Sequence, residues 1–195
     1  LILVPALFGA FPSAPPATLL GTNKSASVWG TMISARQFAK RVDMRWQAIA
    51  PAALVGFVAS LLGAWTVTVI NPDMLRKALP LILVAVLGYT LYKKQLGQTH
   101  APRYAGRAEA LVACSIGAVI GFYDGFFGPG AGRFFVFLLV RWLGYDFMHA
   151  SASAKLLNTA SNLAALTLFA WKGHVWWSLV AVMAVANVLG SLLGS

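Results

Sequence analysis

Hydrophobic residues in this chain run in long blocks and do not alternate with polar ones. The block from Gln47 to Ile70 carries no charge, and neither does 173–195. A helix needs about 20 largely apolar residues to cross a bilayer, so each block predicts a spanning helix. Further apolar blocks at 1–10, 19–38, 78–92 and 150–171 predict more, and 110–140 is too long for one straight helix. The run 78–92 is short, but Arg76, Lys77, Lys93 and Lys94 at its ends can snorkel to the interface. The pattern amounts to about seven spans. A membrane β-barrel would need alternation in runs of about ten residues, which is missing. The expected fold class is therefore all-α, a polytopic transmembrane helical bundle.

Composition removes the other classes. Hydrophobic residues make up 59% of the 195 and charged residues 10%, against roughly 45–50% and about 25% in soluble domains. Neither a soluble enzyme nor a disordered chain fits. The net charge of +10 sits between apolar runs, not in a basic patch, so it speaks for orientation in lipid and not for nucleic acid. Arg36, Lys40, Arg41 and Arg45 fill one loop and Lys93, Lys94, Arg103 and Arg107 another. An even number of spans separates them, so both loops, 36–46 and 93–109, are expected on the cytoplasmic side. Trp171, Trp176 and Trp177 flank Lys172 and His174 as an interfacial belt. The lone cysteine, Cys114, excludes an internal disulfide. No Cys/His/Glu set has metal-ligand spacing, so neither metal nor cofactor is expected, and His149 reads as a local hydrogen-bonding group.

Displaced by 131 positions, the sequence matches itself: Lys24 falls on Lys155, Trp46 on Trp177, and Ser60-Leu61-Leu62-Gly63 on Ser191-Leu192-Leu193-Gly194. Internal repeats build many secondary transporters. The expected division is a first repeat over 1–93, a cytoplasmic linker over 94–109 and a second repeat over 110–195. The same offset puts counterparts of some segments beyond both ends, so the chain reads as a fragment of an eight-span protein, short of part of its first span and all of its last.

Within the spans, Lys24 and Lys155 stand in uncharged stretches, where a cation at mid-bilayer costs about 3 kcal/mol. Ser151, Asn158 and Asn162 lie at −4, +3 and +7 from Lys155, one face of a helix. Ser27, Thr31 and Ser34 continue the corresponding face from Lys24. Facing each other, two such ridges would line a wet, positively charged cavity suited to an anion. The second feature is the stretch Gly121-Phe122-Tyr123-Asp124-Gly125-Phe126-Phe127-Gly128-Pro129-Gly130-Ala131-Gly132-Arg133. Its glycines and proline should break the helix and act as a hinge, which is tolerated at membrane depth only against protein or a cavity. Freed N–H groups near Gly132 would also favour an anion. Asp124 is expected to cap the break or pair with Arg133, with a coupling proton as the other role. Ser151 and Lys155, at i and i+4, leave an intramembrane Ser–Lys hydrolase as one alternative. A non-catalytic membrane scaffold with fully paired ridges is another.

The stretch Gly121–Gly132, the run His149-Ala150-Ser151-Ala152-Ser153-Ala154-Lys155-Leu156-Leu157-Asn158 and Ser161-Asn162-Leu163 resemble the sulfite exporter TauE/SafE family, also called toluene sulfonate uptake permeases. Gly21-Thr22-Asn23-Lys24 resembles the matching motif of the first half. The resemblance implies a multi-pass permease of the bacterial inner membrane, not an enzyme, made of two related halves and moving sulfite, sulfonates or related organosulfur anions. It carries Thr22, Asn23, Lys24, Lys155 and Asn158, with Tyr123, Asp124, Gly125, Gly128 and Gly132 of the broken helix, over as family positions. Arg133 stands where the family commonly has a small polar residue, so it either faces the substrate or is paired away. The expected partners are a small anionic solute and membrane lipid, not nucleic acid, and a homo-oligomer is left open.

Overall fold

A computed structural model describes residues 3–92 and 100–194, and among them every regular element is helical. The helices are α1 (Leu3–Ala10), α2 (Pro16–Ala39), α3 (Trp46–Val69), α4 (Pro72–Tyr92), α5 (Gly106–Phe126), α6 (Ala131–Leu138), α7 (Phe147–Trp171) and α8 (Trp177–Gly194). A π-helical turn, Leu139–Leu143, extends α6. Each expected apolar block becomes a helix, and 110–140 divides into two. Lys93 and Lys94, with the first part of the expected linker, lie outside the described residues.

Local chemistry sets the helix ends. Pro16 opens α2, where its missing N–H costs nothing. Asp146 caps α7 by accepting from the His149 N–H at 2.7 Å. Between α5 and α6 the backbone turns at Gly128 (φ +88°) and Gly130 (φ +82°), in the left-handed region that favours glycine. Tyr123 Oη closes this turn by donating to the Pro129 carbonyl at 2.7 Å.

The return is a hairpin. Ala101 and Arg103, before α5, donate their N–H groups to the Gly144 and Leu143 carbonyls, after α6, at 2.9 Å each. Both arms of α5–α6 therefore start and finish at one end of the bundle. At that end Arg45 Nε lies 2.6 Å from Glu109 Oε1, and Tyr145 Oη donates to the same carboxylate at 2.6 Å. At the opposite end Lys172 Nζ donates to Thr68 Oγ1 at 3.1 Å, and Arg76 donates to the carbonyls of Pro12 and Ala14. Arg76 thus docks α4 onto the turn before α2 and does not snorkel as the sequence suggests.

α3 and α5 lie against each other along their lengths. A Cβ on Gly121 would stand 2.6 Å from the Gly56 carbonyl, and one on Gly125 would collide with that of Ser60. Small residues spaced four apart permit this approach. Gly121 and Gly125 are therefore helix-packing residues inside α5 and not part of the break, which is confined to Phe127–Gly130. Leu54, Val58, Leu111, Val119, Val182 and Val185 point outward from α3, α5 and α8, each more than half exposed. Such a surface requires an apolar surrounding. By length and composition, α3 and α5 are the described helices that can cross a membrane, and the apolar part of α8 is shorter. Buried polar residues lower the hydropathy of α2 and α7.

Candidate functional site

α2 and α7 form the centre of the bundle and run antiparallel. Gly21 near the start of α2 meets Phe169 near the end of α7, whereas Phe38 at the end of α2 lies under Lys155 near the start of α7. Between them, with α1, α6, α8 and the α5–α6 turn, lies an open-sided cavity of about 330 Å³. Lys24 and Lys155 both line it, as do Asn23, Asn158 and Asn162. Ser27, Thr31 and Ser34, on the face that runs on from Lys24, line it as well. Gly128 and Gly130 of the break and Gly132 at the start of α6 complete one wall. Gly128 also lets Lys24 in, since a Cβ there would stand 2.6 Å from its Nζ.

The two lysines differ in their partners. Lys24 is 3% exposed and forms an ion pair with Asp124, itself 1% exposed. The other oxygen of Asp124 accepts from Ser161 Oγ. Lys155 is half-buried, with Nζ 5.9 Å from the centre of the Phe38 ring, and among the described residues no carboxylate pairs with it. A cation–π contact of this kind needs no counter-ion.

Several expected site residues stand elsewhere. Thr22 is two positions before Lys24 and therefore on the far side of α2, where its hydroxyl donates to the Thr18 carbonyl at 2.7 Å and accepts from the Trp176 N–H at 3.1 Å. Ser151 is buried one turn before Lys155 and does not line the cavity, so the Ser–Lys hydrolase reading has no accessible nucleophile. Arg133 is exposed on α6, outside the cavity, and Asp124 pairs with Lys24 and not with Arg133. The N–H groups of Ala131, Arg133 and Phe134 bond to carbonyls within the turn, which leaves fewer donors for an anion than the glycine pattern implies.

Asn187 and Ser191, on α8, line the cavity without having been singled out from the sequence. Their spacing of four, in an otherwise apolar helix, was the available signal. Ser191 Oγ donates to the Gly30 carbonyl, and Ser60 Oγ to that of Ser161, at 2.7 Å each. Away from the cavity, the fold gathers His100, Asp146 and His149, whose ligand atoms all lie within 4.8 Å of one another. Zinc takes donors of this kind. Linear spacing hid the set because His100 comes from the far side of α5. Asp146 is already engaged, with His149 Nδ1 2.8 Å from its Oδ1, which accounts for the grouping without an ion.

The sulfite exporter TauE/SafE family model matches residues 1–195. Over 198 aligned residues the chain is 38% identical to the probable membrane transporter protein YfcA of Escherichia coli K12, covering all of this chain and 71% of that protein. It is 33% identical to a probable membrane transporter protein of Haemophilus influenzae and 32% to ORF9 of a Sinorhizobium species, a protein of the same description. These matches cover all of this chain and 75% and 73% of the relatives. No solved structure matches. With the whole chain matched and an apolar helical bundle around a polar cavity, the protein belongs to the sulfite exporter TauE/SafE family of membrane transporters.

Proposed function

We propose that the protein is a secondary transporter of small anions, of the sulfite, sulfonate or related organosulfur class, and that the cavity between α2 and α7 is its binding site. The observation that carries this reading is the pair of lysines from antiparallel helices lining one polar cavity. Lys155, without a carboxylate beside it, is the primary anchor. Asn158, Asn162, Asn23 and Asn187 supply amide donors around it. A scaffold of fully paired ridges would leave no such space.

The internal duplication supports a moving site. Displaced by 131 positions, α2 (Pro16–Ala39) becomes 147–170, nearly the span of α7, and Trp46 at the start of α3 becomes Trp177 at the start of α8. The bonds Ser60–Ser161 and Ser191–Gly30 are equivalent under the same displacement. Halves related in this way, with their axes reversed, match inverted repeats, in which access alternates as one part rocks against another. The protein resides in the bacterial inner membrane with loops 36–46 and 93–109 in the cytoplasm. The Arg45–Glu109 contact, which joins the flanks of these loops, supports a shared side.

Radiolabelled sulfite flux into proteoliposomes tests the reading. Lys155→Ala should weaken anion binding and flux about 10- to 100-fold, the equivalent of the ~1.5–3 kcal/mol of a charge-assisted hydrogen bond. Lys24→Ala, which in addition leaves Asp124 buried without its cation, should abolish flux. Undiminished flux in both folded variants refutes the site.

A further inference from the structure

The ion pair between Lys24 and Asp124 lies in the wall of the cavity, so Asp124 already occupies a cation that an anionic solute would use. We infer that Asp124 is the proton-coupling group, and that each doubly charged oxyanion entering the cavity is accompanied by one proton taken up on the Asp124 carboxylate. This rests on the anion-transporter reading above and adds to it the coupling ion and the dependence on solute charge.

Charge arithmetic at the cavity leads there. At rest Lys24 and Asp124 cancel, and Lys155 leaves one positive charge. A singly charged sulfonate on Lys155 brings the site to neutrality with the ion pair intact. A dianion would leave one uncompensated negative charge in a low-dielectric interior, which is costly. Neutrality returns when Asp124 accepts a proton and releases the Lys24 ammonium to the second negative charge. The groups facing Asp124 are Lys24 from α2, Ser161 from α7 and the adjacent Tyr123 on its own helix, and Lys155 of α7 lines the same cavity. No charged residue of α3 or α6 lines the cavity.

The hydrogen bonding around Asp124 accommodates both states. Ser161 Oγ has one proton and two acceptors in reach, an oxygen of Asp124 and the Asn158 carbonyl at 3.1 Å. Beside the carboxylate, Ser161 donates to it. Beside the carboxylic acid, the acid O–H donates to Ser161 Oγ, whose own proton turns to the Asn158 carbonyl. In both states Ser161 Oγ and the Asp124 oxygen beside it stay matched, and an unmatched pair there would cost stability.

The test uses proteoliposomes with a trapped pH dye, given sulfite at alkaline pH, where it is a dianion, or methanesulfonate, a permanent monoanion. Wild-type protein should acidify the lumen by about one proton per sulfite and by none per methanesulfonate. Sulfite flux without proton movement overturns the coupling and leaves the transporter reading standing. No flux or binding of either anion overturns the transporter reading itself. Asp124→Asn, neutral and of the same shape, should lose the proton movement that accompanies each sulfite it carries. Persistent proton movement in this variant would show that bisulfite is the solute or that another group titrates, and would overturn the assignment. Should Asp124→Asn not fold, Ser161→Ala, which keeps the ion pair, should shift the pH midpoint of sulfite flux and leave methanesulfonate flux unchanged. An unmoved midpoint also overturns it.

Discussion

Single residues show how equivalent positions can take different roles. Lys24 and Lys155 occupy matching places on two antiparallel helices, yet one lies against a carboxylate and the other over an aromatic ring. Outside the membrane-spanning segments, His100, Asp146 and His149 form a second charge-sensitive group. Burial, then the neighbouring His149, holds His100 below its ordinary pKa. Burial works to raise Asp146, but hydrogen bonds from the His149 backbone and ring, with the charges of both histidines, hold it below the usual carboxylate range. Both depressed groups bind fewer protons folded than unfolded, so both favour the folded state at higher pH and lose that contribution on acidification. His100 loses it first, as pH falls through its ordinary value of about 6.5. Protection factors at residues 147–150, hydrogen-exchange rates taken relative to the intrinsic rate at each pH, should therefore fall between pH 7.5 and 5.5, and His100→Ala should flatten the response. The cavity residues Lys24, Lys155, Asn158 and Asn162 were readable from sequence because polar groups inside an apolar run need a polar neighbour. Thr22 was misread because composition marks a residue as polar without saying which way it faces, and for the same reason the sequence left the direction of Arg133 open.

Whole elements were readable where periodicity is long, and less so where backbone geometry decides. The glycine-rich stretch predicts a break, and there is one, but it takes only Phe127–Gly130. Gly121 and Gly125 are occupied by helix α3 at a distance where a methyl group has no room. Sequence alone cannot separate a glycine that bends a helix from one that lets a neighbour in, because both are defined by a missing side chain. Gly121→Val should accordingly destabilise the protein by about 1–3 kcal/mol through overpacking. Gly88→Ala, in α4 with nothing near its Cβ, should be stabilising by about 0.5–1 kcal/mol. Thermal unfolding in detergent would separate the two.

The whole molecule is held together crosswise. α2 of the first half lies against α8 of the second, while α7 of the second half lies against α3 of the first. The hydrogen bonds Ser191–Gly30 and Ser60–Ser161 lie in these two interfaces. Neither half therefore has a complete core alone. Residues 1–92 and 100–195 expressed as separate chains should copurify from membranes, and each alone should be lost to aggregation or proteolysis. Copurification at wild-type yield of either half on its own would contradict the crosswise packing. The pairing bears on ancestry as well. A half-length forebear could close such a clasp only as two copies threaded through the bilayer in opposite senses, each supplying the same lysine. On the duplication proposed above, joining two such copies in one polypeptide would free those lysines from identity, so that one could acquire an acidic partner while the other stays without one.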